Sequence, residues 1–366
     1  MVLYREGKTS QAEPLLRSVA ATEGDRIEIA VALHIVGRIE ARQRKLPAAE
    51  AKLRRSVAIG ERIANDHHRA QVLHTLGQLI GRDRQRSGEA ENLLRQSLEL
   101  LRRLADTSGQ AQVLHTLGQL IGRDRQRSDE AESLLRQSLD TERRLADTAG
   151  QAQVLHTLGQ LIGRDRQRSD EAENLLRQSL NFRGLADTAG QAKVLHTLGQ
   201  LIGRDRQRSG EAENLLRQSL ELLRRLADTS GQAQVLHTLG QLIGRDRQRS
   251  DEAENLLRQS LNFRGLADTA GQARVLYTLG QLIGRDRQRS GEAENLLRQS
   301  LAIGEQTSNK RHQAQILYSL GRLLESDVQD EALNLFQRSL ALNRDIGDTF
   351  HAERLEKQIA ILRRKI

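Results

Sequence analysis

VLHTLGQLIGRDRQRS, running from Val72 to Ser87, is a sentence this chain writes over and over. It returns letter for letter at Val113, Val154, Val194 and Val235, and again at Val275 with Tyr277 in place of the histidine. A catalytic site is needed once, whereas a phrase copied along a chain describes a long surface. The histidines stand at 74, 115, 156, 196 and 237; Tyr277 and Tyr318 continue the series, and His34 precedes it by 40 residues. The step is 40 or 41 residues, inside the period of about 20–50 that marks stacked repeats. A larger copy is also visible, because SGEAENLLRQSLELLRRLADTSGQAQVLHTLG from Ser87 recurs at Ser209, three repeats later.

Composition sets the limits around that pattern. The 366 residues are 37% hydrophobic and 2% aromatic, with one Met, two Pro and no Trp. That is lean for an ordinary core, but Leu, Ala, Arg, Glu and Gln are strong helix formers. No apolar run is long enough for a membrane span, and MVLYREGKTS lacks the apolar segment of a secretory signal. The absence of cysteine removes disulfides and thiolate metal sites and fits a cytoplasmic setting. A formal charge of +9 raises acidic proteins and nucleic acid as partners.

Each repeat reads as two helices. Val113, Leu114, Leu117, Leu120 and Ile121 make one apolar face at helical spacing. Ala131, Leu134, Leu135, Ser138 and Leu139 make another at i, i+3, i+4, i+7 and i+8. Between them lies GRDRQRS, where Ser128 is the expected N-cap and Asp129 with Glu132 a capping-box-like pair. The second joint, LADTAG or LADTSG, offers Asp147 and Thr148 as caps. Neither helix hides its apolar stripe alone, and stacked copies bury a continuous core, which predicts an all-α solenoid.

In Leu73-x2-Leu76-Gly77-x2-Ile80, followed by Ala90-x3-Leu94, the phrase resembles the tetratricopeptide repeat. Leu stands for that family's Trp, Ile for its Tyr, Leu for its Phe, and the closing Pro is missing. Such departures are ordinary in the longer repeats that resemble kinesin light chains and the sensor arms of some bacterial signalling NTPases. The seven residues beyond the family's 34 amount to nearly two helical turns, about 10 Å, which leaves the exit direction almost unchanged. The resemblance implies a right-handed superhelix whose first helices line a concave, protein-binding face. The expected organisation is a truncated repeat over 1–26, eight helix pairs over 27–348 and a capping helix over 349–366. An entry in mid-repeat and a charged closing helix fit either an independent protein or the C-terminal arm of a larger signalling or defence NTPase.

Gln112, His115, Thr116, Gln119 and Arg123 lie opposite the apolar stripe of their helix. Stacking turns that pattern into rows, and the expected ligand groove is His74, Gln78, His115, Gln119, His156, Gln160, His196, Gln200, His237, Gln241, Tyr277, Gln281 and Tyr318. Uncharged hydrogen-bonding side chains in rows suit an extended peptide or a partner helix. His156, Gln160, His196 and Gln200 are expected to be solvent-accessible, and Leu155, Leu158, Leu195 and Leu198 buried. No Cys or carboxylate accompanies the histidines on this face, so no metal is expected there, and no cofactor is expected either.

The six GRDRQRS turns each carry three Arg and one Asp. They predict a basic ridge formed by Arg82, Arg84, Arg123, Arg125, Arg164, Arg166, Arg204, Arg206, Arg245, Arg247, Arg285 and Arg287. Turns are solvated and their charges pair locally, which is the plain alternative. Single-stranded nucleic acid needs aromatic platforms, and three Tyr with four Phe supply few, so an acidic protein is the favoured partner and nucleic acid the other. The GKT of REGKTS cannot be a phosphate-binding loop, because its first glycine would fall at Val2 with no strand before it. Without a nucleophile elbow, a ligand cluster or a carboxylate pair set apart from its copies, no enzyme is expected.

Two repeats are one residue short. They read SLNFRGLAD, at Asn181 and Asn262, where the longer ones read SLELLRRLAD or SLDTERRLAD. One deleted residue turns a helix by about 100°, which would swing Leu185 and Ala186 off their face. The second helix is therefore expected to break near Arg183–Gly184 and Arg264–Gly265, where glycine tolerates the change.

Overall fold

The computed structural model describes residues 9–184, 187–265 and 268–364. The chain falls into two compact units, Met1–Gly184 and Leu185–Ile366. Among the described residues every regular element is helical. The first unit holds α1 (Thr9–Ala21) and the pairs α2 (Ile27–Arg42) with α3 (Leu46–Arg62), α4 (Asp66–Ile80) with α5 (Ser87–Arg103), α6 (Thr107–Ile121) with α7 (Ser128–Arg144), and α8 (Thr148–Ile162) with α9 (Ser169–Phe182). The second holds α10 (Thr188–Ile202) with α11 (Ser209–Arg225), α12 (Thr229–Ile243) with α13 (Ser250–Phe263), α14 (Thr269–Ile283) with α15 (Ser290–Gln306), α16 (Lys310–Leu324) with α17 (Gln329–Asp345), and α18 (Thr349–Arg363). Within each unit the helices pack on their neighbours in chain order, the arrangement of an α-solenoid.

The two helices of a pair meet at a glycine. A Cβ on Gly118 of α6 would stand 2.6 Å from Leu135 Cγ of α7, so only glycine admits the leucine at this depth. Leu135 is fully buried, a burial worth about 1.5–3 kcal/mol. The same seat is built at Gly77 for Leu94, Gly159 for Leu176, Gly199 for Leu216, Gly240 for Leu257 and Gly280 for Leu297. At that spacing the buried Ser138 hydroxyl reaches across the pair and donates to the Ala111 carbonyl at 2.8 Å. Ser97, Ser179, Ser219, Ser260 and Ser300 do the same to Ala70, Ala152, Ala192, Ala233 and Ala273. A serine among the apolar positions of the second helix is thus a pairing residue with its hydrogen bond satisfied.

The joints differ in part from expectation. Asp147 caps α8 by accepting from the Gly150 N–H at 2.9 Å, as its sequence predicts. Ser128 does not cap α7: it is the first helical residue, and its hydroxyl donates to the Arg125 carbonyl at 2.9 Å. The capping side chain sits one turn earlier, where Asp124 accepts from the Gln126 N–H at 2.9 Å and starts a 3₁₀ turn over Arg125–Arg127. Glu132 is likewise no capping-box partner, since it faces Arg136 and Arg168.

The long second helices end in a left-handed residue. Ala105, Ala146 and Ala227 have φ of 52°, 52° and 51°. Beyond Ala105, the Asp106 N–H returns to the Leu101 carbonyl at 2.9 Å, while the Ala105 N–H bonds Arg102 at 3.1 Å, the paired closure of a Schellman motif. In the short repeats the helix stops at Phe182 and Phe263, and Arg183 and Arg264 are extended with φ −82°. Neither Gly184 nor Gly265 takes a positive φ, so the break is made in the backbone before the glycine. The room left by the missing turn is filled by Arg264, whose buried side chain pairs with Asp268 at the start of α14. Leu185 and Ala186 lie outside the described residues.

Left-handed alanine costs roughly 1–2 kcal/mol that glycine does not incur, and these alanines are exposed. Ala146→Gly and Ala227→Gly should therefore each raise unfolding stability by up to about 1 kcal/mol, after allowing for the looser unfolded chain. Chemical denaturation would show it, and a loss of stability in both variants would contradict the cap geometry.

Candidate functional site

The first helices carry the rows read from the sequence. Leu155, Leu158, Leu195 and Leu198 are buried beneath them, and the glutamines stand exposed. The histidines are half-buried, and within each unit the imidazole is engaged by the next repeat. His74 Nε2 lies 2.8 Å from Thr116 Oγ1, and His115 Nε2 lies 2.8 Å from Thr157 Oγ1. In the second unit His196 reaches Thr238 at 2.9 Å and His237 reaches Thr278 at 3.0 Å. His34 begins the series on Thr75 at 2.9 Å.

The direction of these bonds follows from the threonine. Thr116 Oγ1 already donates to the Gln112 carbonyl one turn back, at 3.0 Å. Its hydrogen is spent, so the imidazole Nε2–H is the donor and the hydroxyl the acceptor. Each glutamine closes the set on the threonine: the Gln119 amide donates to Thr157 Oγ1 at 3.2 Å, and beside it stands His115 Nε2 at 3.0 Å, a second donor to the same hydroxyl and no acceptor for the amide. Gln160 stands 3.1 Å from His156, and Gln200 stands 3.0 Å from His196. At the end of the series Tyr277 takes the place of the imidazole, and its hydroxyl accepts from Gln281 at 2.6 Å and from Ser319 at 3.3 Å. The rows are therefore a preformed network in which only the glutamine is fully presented to solvent. The threonines were the visible sign, one residue after every histidine of the copied phrase.

Burial pushes His74, His115, His196 and His237 down to about 4 and His34 down to about 3, since a charged ring in that position would lose solvation. They are neutral imidazoles at physiological pH.

The basic ridge divides into three roles, one for each arginine of a turn. The first arginine ties its repeat to the one before: Arg123 donates to the Gly81 carbonyl, Arg164 to Gly122, Arg245 to Gly203 and Arg285 to Gly244. Arg82 reaches the Ala41 carbonyl at 3.4 Å. The third closes a ring of charges on the second helices. Arg127 bonds Glu91 at 2.7 Å and Glu130 at 2.8 Å, and Arg95 bonds the same two carboxylates at 2.8 and 2.7 Å. Equivalent rings join Arg54, Glu50, Arg86 and Glu89, and in the second unit Arg217, Glu213, Arg249 and Glu252. The Arg127 and Arg95 bonds hold Glu91 down at about 2. The middle arginines, Arg84, Arg125, Arg166, Arg206, Arg247 and Arg287, are exposed and make no side-chain bond among the described residues. They alone of the three are available to a partner.

The described residues contain no group of three or more side chains able to hold a metal and no helix long and apolar enough to cross a membrane.

This geometry belongs to a chain of the tetratricopeptide repeat family, whose model matches residues 28–103, 109–183, 190–264 and 271–345. Among solved structures, a Rap protein complexed with Competence and Sporulation Factor is similar over 92% of this chain and 98% of its own, with TM-score 0.55 and 11% identity. A Podosopora anserina protein described as kinesin-light-chain-like, with nearly identical repeats, matches 56% of this chain and 99% of its own at TM-score 0.45 and 19% identity. A singly substituted form of the latter matches 53% of this chain and 95% of its own, at TM-score 0.44 and 18% identity. At these identities the likeness concerns the fold. No curated protein sequence matches the chain.

The histidine rows make stability fall in acid. His74, His115, His196 and His237 have folded pKa values below their ordinary 6.5, so the unfolded chain binds the extra protons. Stability should be flat above pH 6.5 and drop as pH falls from 6.5 towards about 4. The glutamates of the charge rings act lower, between 4.5 and about 2. Replacing His74, His115 and His237 by Tyr, the residue the chain itself uses at 277, should flatten melting temperature across the upper window and leave the lower one. An unaltered slope between pH 6.5 and 4 would refute the assignment.

Proposed function

We propose that the chain is a scaffold that binds an extended protein segment or peptide along the face of its first helices. The observation that carries this reading is the exposed glutamine of the repeats, whose amide is held by the threonine of the following repeat. Such a side chain is ordered before a ligand arrives, so binding costs little further side-chain entropy. Packed helices are spaced by about 8–10 Å, and an extended peptide rises about 3.3 Å per residue. One glutamine per repeat thus suits main-chain amides at about every third ligand residue. The half-buried imidazoles act beneath as supports, and Tyr277 and Tyr318 end the face with larger rings. The similarity to a Rap protein solved with Competence and Sporulation Factor supports a partner-holding role for this architecture.

The partner is acidic on this reading. The unbonded middle arginines, with a chain charge of +9, favour carboxylate-rich segments. The same arginines lack interleaved aromatic residues, which weighs against single-stranded nucleic acid.

A random peptide library displayed against the full chain tests both statements. Selected peptides should be enriched in Asp and Glu. They should lose about tenfold or more in affinity on Gln78→Ala/Gln119→Ala/Gln241→Ala, with the melting temperature unchanged within about 2 °C. Arg125→Gln/Arg166→Gln should reduce their salt dependence. Peptides that bind the glutamine triple variant as tightly as the parent would exclude this face.

A further inference from the structure

The copying of the phrase lapses at the C-terminal end of the second unit, and a cavity opens there. It measures about 550 Å³ and lies between α14, α16 and α18. Its polar lining is Gln281, Arg285, Tyr318, Ser319, Arg322 and Arg354, with no acidic residue among its walls. Two of the three arginines are departures from the repeat. Arg322 occupies the register of Gln281, 41 residues earlier, where all six copies of the phrase have Gln. Arg354 comes from α18, which lies beyond the copied pairs.

These guanidinium groups are only lightly engaged. Arg354 stands 5.7 Å from the centre of the Tyr318 ring, stacked on its face, and forms no ion pair among the described residues. Arg322 Nε is 3.7 Å from Glu325, beyond hydrogen-bond reach, and that carboxylate already accepts from Gln358 at 2.9 Å. Arg285 spends one Nη on the Gly244 carbonyl and keeps its other donors. The contrast with Arg289 is sharp: that side chain is tied to both Glu254 and Glu292. The unbonded middle arginines also lack a carboxylate but stand one to a turn; here three guanidinium groups line one polar cavity whose walls hold no carboxylate, and the nearest described, Glu325, lies outside them.

A carboxylate brings one charge and two oxygens. A phosphate monoester brings nearly two charges and three acceptor oxygens near neutral pH. Arginine forks match that geometry in pairs, and the Tyr318 and Ser319 hydroxyls with the Gln281 amide add neutral donors. We propose that this cavity is a phosphate-monoester site, held by Arg322, Arg354 and Arg285. The phosphate is either that of a phosphorylated side chain or that of a small phosphorylated molecule, and the chemistry of recognition is common to both. The site does not depend on the first-helix face binding a peptide.

Calorimetric titration of the full chain tests it with inorganic phosphate, O-phosphoserine and the heptapeptide Gly-Ala-Gly-phosphoserine-Gly-Ala-Gly, alongside its unphosphorylated form. One saturable site is expected for the phosphorylated probes and none for the unphosphorylated peptide. Arg322→Gln, which restores the residue of the six copies, and Arg354→Gln should each weaken binding about tenfold or more. Arg102→Gln, an exposed arginine of the other unit, should leave it unchanged. Tighter binding of the phosphopeptide than of O-phosphoserine identifies a phosphorylated partner as the source; equal binding identifies a small phosphate monoester. Absence of saturable binding up to on the order of 10 mM, or undiminished binding by the Arg322→Gln/Arg354→Gln double variant, overturns the proposal. Melting curves of the same variants guard against misfolding, and library peptides bound through Gln78, Gln119 and Gln241 should be unaffected.

Discussion

Everything in a unit depends on how closely the two helices of a pair approach at one glycine. With Gly118 the Leu135 side chain enters the space a Cβ would fill, 2.6 Å from its Cγ. Any side chain there would push α7 outward. The Ser138 hydroxyl would then lose the Ala111 carbonyl, now 2.8 Å away, and a buried polar group would be left without its partner. The pair spacing also fixes where the first helix presents its histidine to the next repeat. A single missing methyl group therefore sets the core, the buried polar bond and the outer rows together. The last pair shows how far the rule stretches: Gly321 receives Phe336 instead of leucine, and its Cβ would lie 2.6 Å from the ring.

Much of this was legible in the sequence. The copied phrase gave the period, the apolar faces gave two helices per repeat, and Asp147 announced its own cap. What lies inside one helix or one joint could be read because it depends on spacings of a few residues. The contacts that join one repeat to the next were missed because they depend on neighbours 35 to 42 residues away. Nothing local tells that His115 touches Thr157, or that of three arginines in one turn the first meets a glycine carbonyl and the third two glutamates. Whether those atoms meet is set by the step from repeat to repeat, which periodicity counts but does not measure. Ser128 misled for a different reason. A serine before a helix is the common cap, but the 3₁₀ turn after Asp124 advanced the cap by one turn and left the serine inside.

The division of the arginines has a counterpart in charge. An exposed pair adds little stability, but Glu91 is less exposed than the arginines around it and belongs to a closed ring with Glu130, Arg95 and Arg127. Each ring joins one second helix to the second helix of the next repeat and the turn that precedes it, so the outer side of the pairs is fastened by neutralised charge. The first-helix side is fastened by neutral hydrogen bonds. The middle arginines and the arginines at the cavity around Tyr318 are among the positive charges that neither system absorbs.

The bonds between repeats are the same bond each time: imidazole to the next threonine, arginine to the previous glycine carbonyl, arginine to the previous glutamate. In these three bonds no copied repeat has a partner specific to its place. Removing or adding a whole unit would rejoin identical donors and acceptors, with the core seam intact. A gene built this way is open to unequal recombination, because its near-identical segments misalign easily and the products still fold. The recurrence of the Ser87 block at Ser209 has the form such an event leaves. Length is then the trait most exposed to heritable change: alleles should differ in whole numbers of units while the divergent ends stay fixed.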